Sequence, residues 1–201
     1  MLLKNYVKPL SVMSLILAIA ACSRLPGRLP EKTMEPPANA ALQDKFNRAV
    51  SLMQQQKYDQ AEPLLRQLTQ AAPDRAAPYG NLGILYAKTE RWKDAQPLLE
   101  RSVKLDPNNA ALWTELGVVY RQSGNLGAAQ TAYQKALQID PNYPLAHLDI
   151  GILYDLYLQK PQQALEHYRR YQELKRGEDK QVALWITDLE KRANSVSGTS
   201  K

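Results

Sequence analysis

The residues able to do chemistry in this chain are few and poorly grouped. His147 and His167 are the only histidines and stand 20 residues apart. A zinc-type ion needs three or four nitrogen, sulfur or oxygen ligands, and no third ligand stands clearly beside them. Glu166 neighbours His167 in sequence, which predicts a surface position for that ring. Glu115, Asp149 and Asp155 could meet in space and form an acid–base pair, but a solvated surface is the simpler account of them. No nucleophile has a visible base, and no glycine-rich phosphate loop follows a strand. The chain is therefore read as non-enzymatic, with no metal and no cofactor.

The remaining reactive side chain is the single cysteine, Cys22. It cannot form an internal disulfide, and its position matters more than its count. Lys4 and Lys8 precede an apolar run from Leu10 to Ala20, 11 residues long. A membrane-spanning helix needs about 20 apolar residues, whereas a run of this length fits the core of a secretory signal. Small residues close the run, as signal cleavage requires, and the cysteine follows at once. Leu17-Ala18-Ile19-Ala20-Ala21-Cys22 resembles the lipobox of bacterial lipoproteins. The resemblance implies cleavage after residue 21, a diacylglyceryl group on the Cys22 thiol and acylation of the new amino terminus. Several acyl chains anchor stably where one is marginal. Ser23 is, by the same resemblance, permissive for the outer membrane facing the periplasm; the outer face of the inner membrane is the alternative. Residues 22–41 read as a tether, because Pro26, Pro30, Pro36 and Pro37 favour extended chain. Arg24 and Arg28 either attract anionic headgroups or are simply solvated.

The elements that position everything else are helical. The 201 residues are 44% hydrophobic and 23% charged, as in a folded soluble domain. The formal net charge is +6, of which Lys4 and Lys8 supply two. The remaining excess is scattered, without the basic stripe and interleaved aromatics of nucleic-acid binding. An interval of 34 residues runs through the chain: Gly83, Gly117 and Gly151; Tyr86, Tyr120 and Tyr154; Pro73, Pro107 and Pro141; Ala61, Ala95 and Ala129. Within the unit from Ala110, the residues Trp113, Leu116, Gly117 and Tyr120 recur at three and four, marking one helix face. Ser123-Gly124-Asn125 is a turn. Ala129, Tyr133, Ala136 and Leu137 mark a second helix, and Asp140-Pro141 ends it.

These units resemble the tetratricopeptide repeat, a helix pair that stacks into a solenoid. One unit reads Trp113, Leu116-Gly117, Tyr120, Ala129, Tyr133, Ala136, Pro141. The unit before it reads Tyr79, Leu82-Gly83, Tyr86, Ala95, Leu99, Ser102, Pro107. The first unit, from Leu42, is degenerate. The fourth carries His147, Ile150-Gly151 and Tyr154, then one extra residue before Ala164. The resemblance implies an all-α, right-handed solenoid over 42–177, with units near 42–75, 76–109, 110–143 and 144–177. Pro63 and Pro97 are placed early in second helices, where a missing N–H costs little. Residues 178–193 are predicted to form a capping helix, since a solenoid must cover its end; Val182, Trp185, Ile186 and Leu189 share one face. The tail 194–201 is expected to be disordered.

In this family the first helices line a concave surface that holds partner proteins. The matching positions give an apolar column, Val50, Ile84, Val118 and Ile152. They also give Phe46, Asn81, Glu115, Arg121, Asp149 and Asp155, polar and acidic towards the end. The Lys/Arg/Asn clamp that some members use for a peptide carboxylate is absent. The column either packs on neighbouring helices and the cap or presents an open stripe to an apolar helix or extended segment. The apolar stretch Tyr154-Asp155-Leu156-Tyr157-Leu158 is read as a lengthened first helix buried against the cap, an exposed patch being the alternative. The expected function is a membrane-anchored adaptor holding a protein partner in the envelope. Resembling lipoproteins serve pilus assembly, cell-wall hydrolases or TonB-type energy transduction. The alternatives are a self-assembling structural module, or an enzyme of cell-wall turnover lacking a recognisable acid or nucleophile pair. Neither partner identity nor oligomeric state follows from the sequence.

Overall fold

Proline and asparagine punctuate the helices. The computed structural model describes the backbone of residues 38–175 and 177–198, with side chains between 40 and 192 except 176. Cys22, the signal run and most of the tether lie outside the described residues. The helices are α1 (Ala38–Gln54), α2 (Tyr58–Ala71), α3 (Ala76–Lys88), α4 (Trp92–Leu105), α5 (Ala110–Gln122), α6 (Leu126–Ile139), α7 (Pro144–Ile152), α8 (Pro161–Leu174) and α9 (Lys180–Gly198). A π turn, Leu153–Tyr157, continues α7. Asn109 and Asn125 cap α5 and α6 by accepting from the amides of Leu112 and Ala128. Pro144 and Pro161 open α7 and α8, where no amide donor is needed. Ala72, Asp106 and Asp140 each precede a proline and leave helical geometry, with ψ of 70, 82 and 96°.

Helix length departs from expectation at both ends. α1 begins at Ala38, inside the segment read as tether, and α9 runs to Gly198, past the expected start of a disordered tail. Pro63 and Pro97 lie in the second turns of α2 and α4 rather than the first. Their rings remove bonds to the carbonyls of Asp59 and Lys93, but both stretches face solvent, so water can satisfy those oxygens.

The helices pack in antiparallel pairs, α1/α2 to α7/α8, and each pair packs on the next; α9 packs on α8. First helices also touch one another, α1 with α3, α3 with α5 and α5 with α7. This is an all-α solenoid. Within a pair one large side chain covers one small one. A Cβ on Gly83 would lie 2.7 Å from Leu99, on Gly117 2.5 Å from Tyr133, and on Gly151 2.7 Å from Tyr168. Leu99, Tyr133 and Tyr168 are fully buried there, as are Ala95, Ala129 and Ala164 beside them. The degenerate first pair keeps the device with Ala49 and Leu65, both fully buried. Ala136 meets Ala146 of the next pair, where only small residues let helices approach.

The first three pairs turn the same way. The residue before the second helix donates its amide five positions back: Lys57 to Leu52, Arg91 to Tyr86 and Asn125 to Tyr120. The residue preceding each donor has positive φ: Gln56 58°, Glu90 59° and Gly124 79°. The fourth pair closes with Lys160 to Tyr154, six back, after Gln159 at φ 54°. Its extra residue is absorbed in the π turn, whose bond runs from Leu158 N to Leu153 O at 3.0 Å.

Candidate functional site

The first-helix face carries the residues singled out from the sequence. Val50, Ile84, Val118 and Ile152 are each half-buried. Ile84 packs into the core of the first three pairs, and Val118 and Ile152 pack into that of the last pairs and the cap. The column is thus partly spent on holding neighbouring helices together. Phe46 is likewise half-buried against the first core, and Asn81 donates its side-chain amide to the Ala77 carbonyl of its own helix at 2.9 Å.

The charged residues of the face are not the solvated surface expected of them. Arg121, on α5, has a side chain only 10% exposed. Its guanidinium meets Asp149 at 3.3 Å, donates to the Tyr133 hydroxyl at 3.3 Å, and lies 5.7 Å from the Tyr157 ring. Asp155 is 8% exposed and paired with Arg192 of α9 at 3.1 Å. Arg121 braces two pairs and Asp155 ties the cap, so neither is an open anchor. Helix spacing brings Glu115 of α5 towards Asp149 of α7. Burial raises the Asp149 carboxyl to about 6; Arg121 pulls it down and Glu115 pushes it up. Burial also raises Glu115, against the attraction of Lys88. Among the described residues, no hydrogen bond or ion pair engages the Glu115 carboxylate.

The exposed apolar surface lies elsewhere on this face. Leu145 is 47% exposed, Leu156 69% and Tyr157 41%. The stretch 154–158 was expected to be buried. Leu153 and Tyr154 are buried, but the π turn carries Leu156 and Tyr157 out to solvent. Leu156 edges an open cleft with Asp155, Gln159, Pro161, Asp188 and Arg192.

The histidines, read as separate, are partners. His147 packs inside the fourth pair as expected, but His167 is half-buried rather than at the surface. Their Nδ1 atoms lie 2.9 Å apart, and His147 Nε2 is 3.0 Å from the Pro141 carbonyl. A carbonyl only accepts, so His147 carries its proton on Nε2. Its bare Nδ1 then accepts from His167 Nδ1–H. The His167 ring stacks on Tyr154 at 5.6 Å. Burial, with the His147 charge as a second cause, lowers His167 to about 4. Among the described residues no group of three or more metal-ligating side chains occurs. Sequence offered one signal for this burial: allowing for the extra residue, His167 takes the place of Leu64, Leu98 and Ala132.

A family model described as tetratricopeptide repeat matches residues 38–108, and a second one so described matches residues 81–144. The chain belongs to the tetratricopeptide repeat family. No curated protein sequence matches it. Among solved structures this repeat protein is similar to pilF of Pseudomonas aeruginosa, with TM-score 0.70 and 22% identity over 78% of this chain and 71% of that one. It is similar to MamA of Desulfovibrio magneticus RS-1, with TM-score 0.61 and 24% identity over 69% of this chain and 77% of that one. It also resembles part of an O-GlcNAc transferase of Thermobaculum terrenum, with TM-score 0.61 and 27% identity over 69% of this chain but 28% of that one. These likenesses establish the fold. Tetratricopeptide solenoids of this kind are protein-binding scaffolds.

Proposed function

We propose that this repeat protein is a lipid-anchored adaptor that holds a protein partner in the bacterial cell envelope, at the outer membrane facing the periplasm. The observation that carries the binding role is the first-helix face of the fourth pair. There a well-packed fold leaves Leu145, Leu156 and Tyr157 in solvent. Exposed apolar surface rimmed by polar groups is a mark of an interaction site. The anchor rests on Cys22 and the lipobox-like residues before it.

Two measurements test the two halves. Growth with an alkyne-bearing palmitate should label the wild-type chain and leave Cys22→Ser unlabelled; equal labelling refutes the anchor. Photo-crosslinking residues at Ile84, Val118 and Leu156 should each trap a protein in living cells. If nothing is trapped at any of them, the adaptor reading fails.

A further inference from the structure

Building on the adaptor reading, we infer that the fourth pair docks a three-turn amphipathic helix, laid along α7, whose apolar stripe is flanked by a basic residue facing α5.

The direction follows from where apolar surface is free. An extended segment crossing the repeats would run over Val50, Ile84, Val118 and Ile152, but the last three of these are half-buried and engaged in the core. Along α7 Leu148 and Ile152 are also half-buried in the core, but the residues at either end of the row are open. Leu145, Leu148 and Ile152 follow at intervals of three and four and so share one face of α7, and Leu156 stands in the π turn that continues it. The outer two are open, at 47% and 69% exposure. At 1.5 Å per residue this stripe is about 16 Å long. A partner helix with apolar residues at i, i+3 or i+4, i+7 and i+11 covers it, whereas an extended strand places alternate side chains on opposite faces. The cap leaves the ends of the row open: α9 packs on α8 and borders Leu156 across a cleft lined by Asp188 and Arg192.

The charge follows from a local deficit. On the α5 side two carboxylates, Glu115 and Asp149, repel one another, and the Arg121 guanidinium is bonded to Asp149 alone. Glu115 is left half-buried, with only the distant attraction of Lys88. A Lys or Arg on the flank of the incoming helix supplies the missing cation where water is partly excluded. An acidic flank would set a third negative charge beside two.

Among the described residues no other helix presents such a stripe. The other large exposed apolar side chain, Leu184, stands alone on α9. Residues 24–30 are basic but hold Pro26 and Pro30, which a helix interior excludes.

The test uses two fluorescein-labelled synthetic helical peptides with one Leu stripe, flanked by Lys in one and by Glu in the other. Anisotropy with the purified chain should show the Lys peptide binding at least about tenfold more tightly. Glu115→Gln should remove that advantage. Leu156→Lys, at an exposed position, should weaken the Lys peptide by about tenfold while the helical circular dichroism stays unchanged. Equal binding of the two peptides, or indifference to Glu115→Gln or Leu156→Lys, overturns the inference. So does competition by a peptide of residues 23–35, which would put the chain's own tether there. Self-association abolished by Leu156→Lys would put a second copy there and also overturn it. In cells, capture of a protein at Ile84 but not at Leu156 overturns this inference and leaves the adaptor reading standing. Capture at none of the sites overturns that reading.

Discussion

The histidine pair and the Asp149 carboxyl should pull stability in opposite directions over the same pH range. His167 is held down to about 4 from an ordinary 6.5. On acidification the unfolded chain takes up a proton that the folded ring refuses, because burial disfavours the charged ring and His147 beside it adds to the penalty. This contribution is present above 6.5 and is lost as pH falls towards 4. One pKa unit is about 1.4 kcal/mol, so the ceiling is roughly 3 kcal/mol, and about 2 kcal/mol after allowing for the half-exposed ring. Asp149 behaves oppositely. Its carboxyl stands near 6 against an ordinary 3.8, so the folded state takes up the proton first. That contribution is present below 3.8 and is lost as pH rises through 6, again roughly 2 kcal/mol after the same discount.

The His167 and Asp149 contributions should therefore nearly cancel between about pH 7.5 and about pH 4.5. His167→Gln keeps a donor for His147 Nδ1 and does not titrate. Its stability should rise by about 1–2 kcal/mol across that range, because the Asp149 contribution is then unopposed. Asp149→Asn keeps an acceptor for Arg121, and its stability should fall by a similar amount. Glu115 is present in all three proteins, but Asp149→Asn also relieves its repulsion from Asp149, so His167→Gln is the cleaner comparison. Urea unfolding at several pH values is the assay, with tryptophan fluorescence and circular dichroism required to coincide. Parallel pH profiles for wild type and His167→Gln refute the assigned histidine geometry, as does a slope of the opposite sign.

Three further outcomes are expected. Gly117→Ala puts a methyl group 2.5 Å from the fully buried Tyr133 ring and should cost about 1–3 kcal/mol, whereas Gly127→Ala, with nothing within 4 Å, should be neutral or stabilise by about 0.5 kcal/mol; thermal unfolding separates them. Glu90→Gly relieves a φ of 59° and should stabilise by about 0.5–1 kcal/mol in urea unfolding. Asp179 caps α9 through the amides of Gln181 and Val182, accepts from Lys175 and Tyr171, and is held near 2 chiefly by Lys175. Asp179→Ala should therefore speed hydrogen exchange in 180–189 without changing it in α3 and α4, and in the wild type the same loosening should appear as pH falls below about 4.

The fold was legible because each device recurs at a fixed interval. Gly117 with Tyr133, Ala136 with the next pair and Asp140-Pro141 at the helix end could each be read from type and spacing. The candidate site was less legible, since side-chain type does not say which charges meet. Arg121 looked like an anchor for a partner and is a brace between Asp149 and Tyr133. Asp155 looked open and is tied to the cap by Arg192, which no interval connects to it. His167 was misplaced because its neighbour Glu166 outweighed its register with Leu64, Leu98 and Ala132. The ends of α1 and α9 were misjudged for a related reason. Both helices continue past the last core residue, where no buried side chain marks their length.

The extra residue of the fourth pair explains why the exposed surface sits where it does. Two contacts fix that pair: Gly151 under Tyr168, and the turn closed onto the Tyr154 carbonyl. Both match their counterparts in the third pair, Gly117 under Tyr133 and Tyr120 closing the turn. An added residue must therefore be taken up between Tyr154 and Lys160 without moving either. A longer loop would free backbone groups there; a π turn keeps them bonded, with Leu158 N reaching Leu153 O. The wider turn changes the direction of the residues that follow it. Leu153 and Tyr154 stay in the core, while Leu156 and Tyr157 emerge beyond the end of α7. Deleting Leu156 should therefore restore a closure five residues back like that of the first three pairs. It should remove the exposed patch while leaving Gly151 and Tyr168 in contact. A variant that keeps its thermal stability but loses the Lys-flanked peptide would tie docking to the insertion itself; unchanged peptide affinity would refute that link.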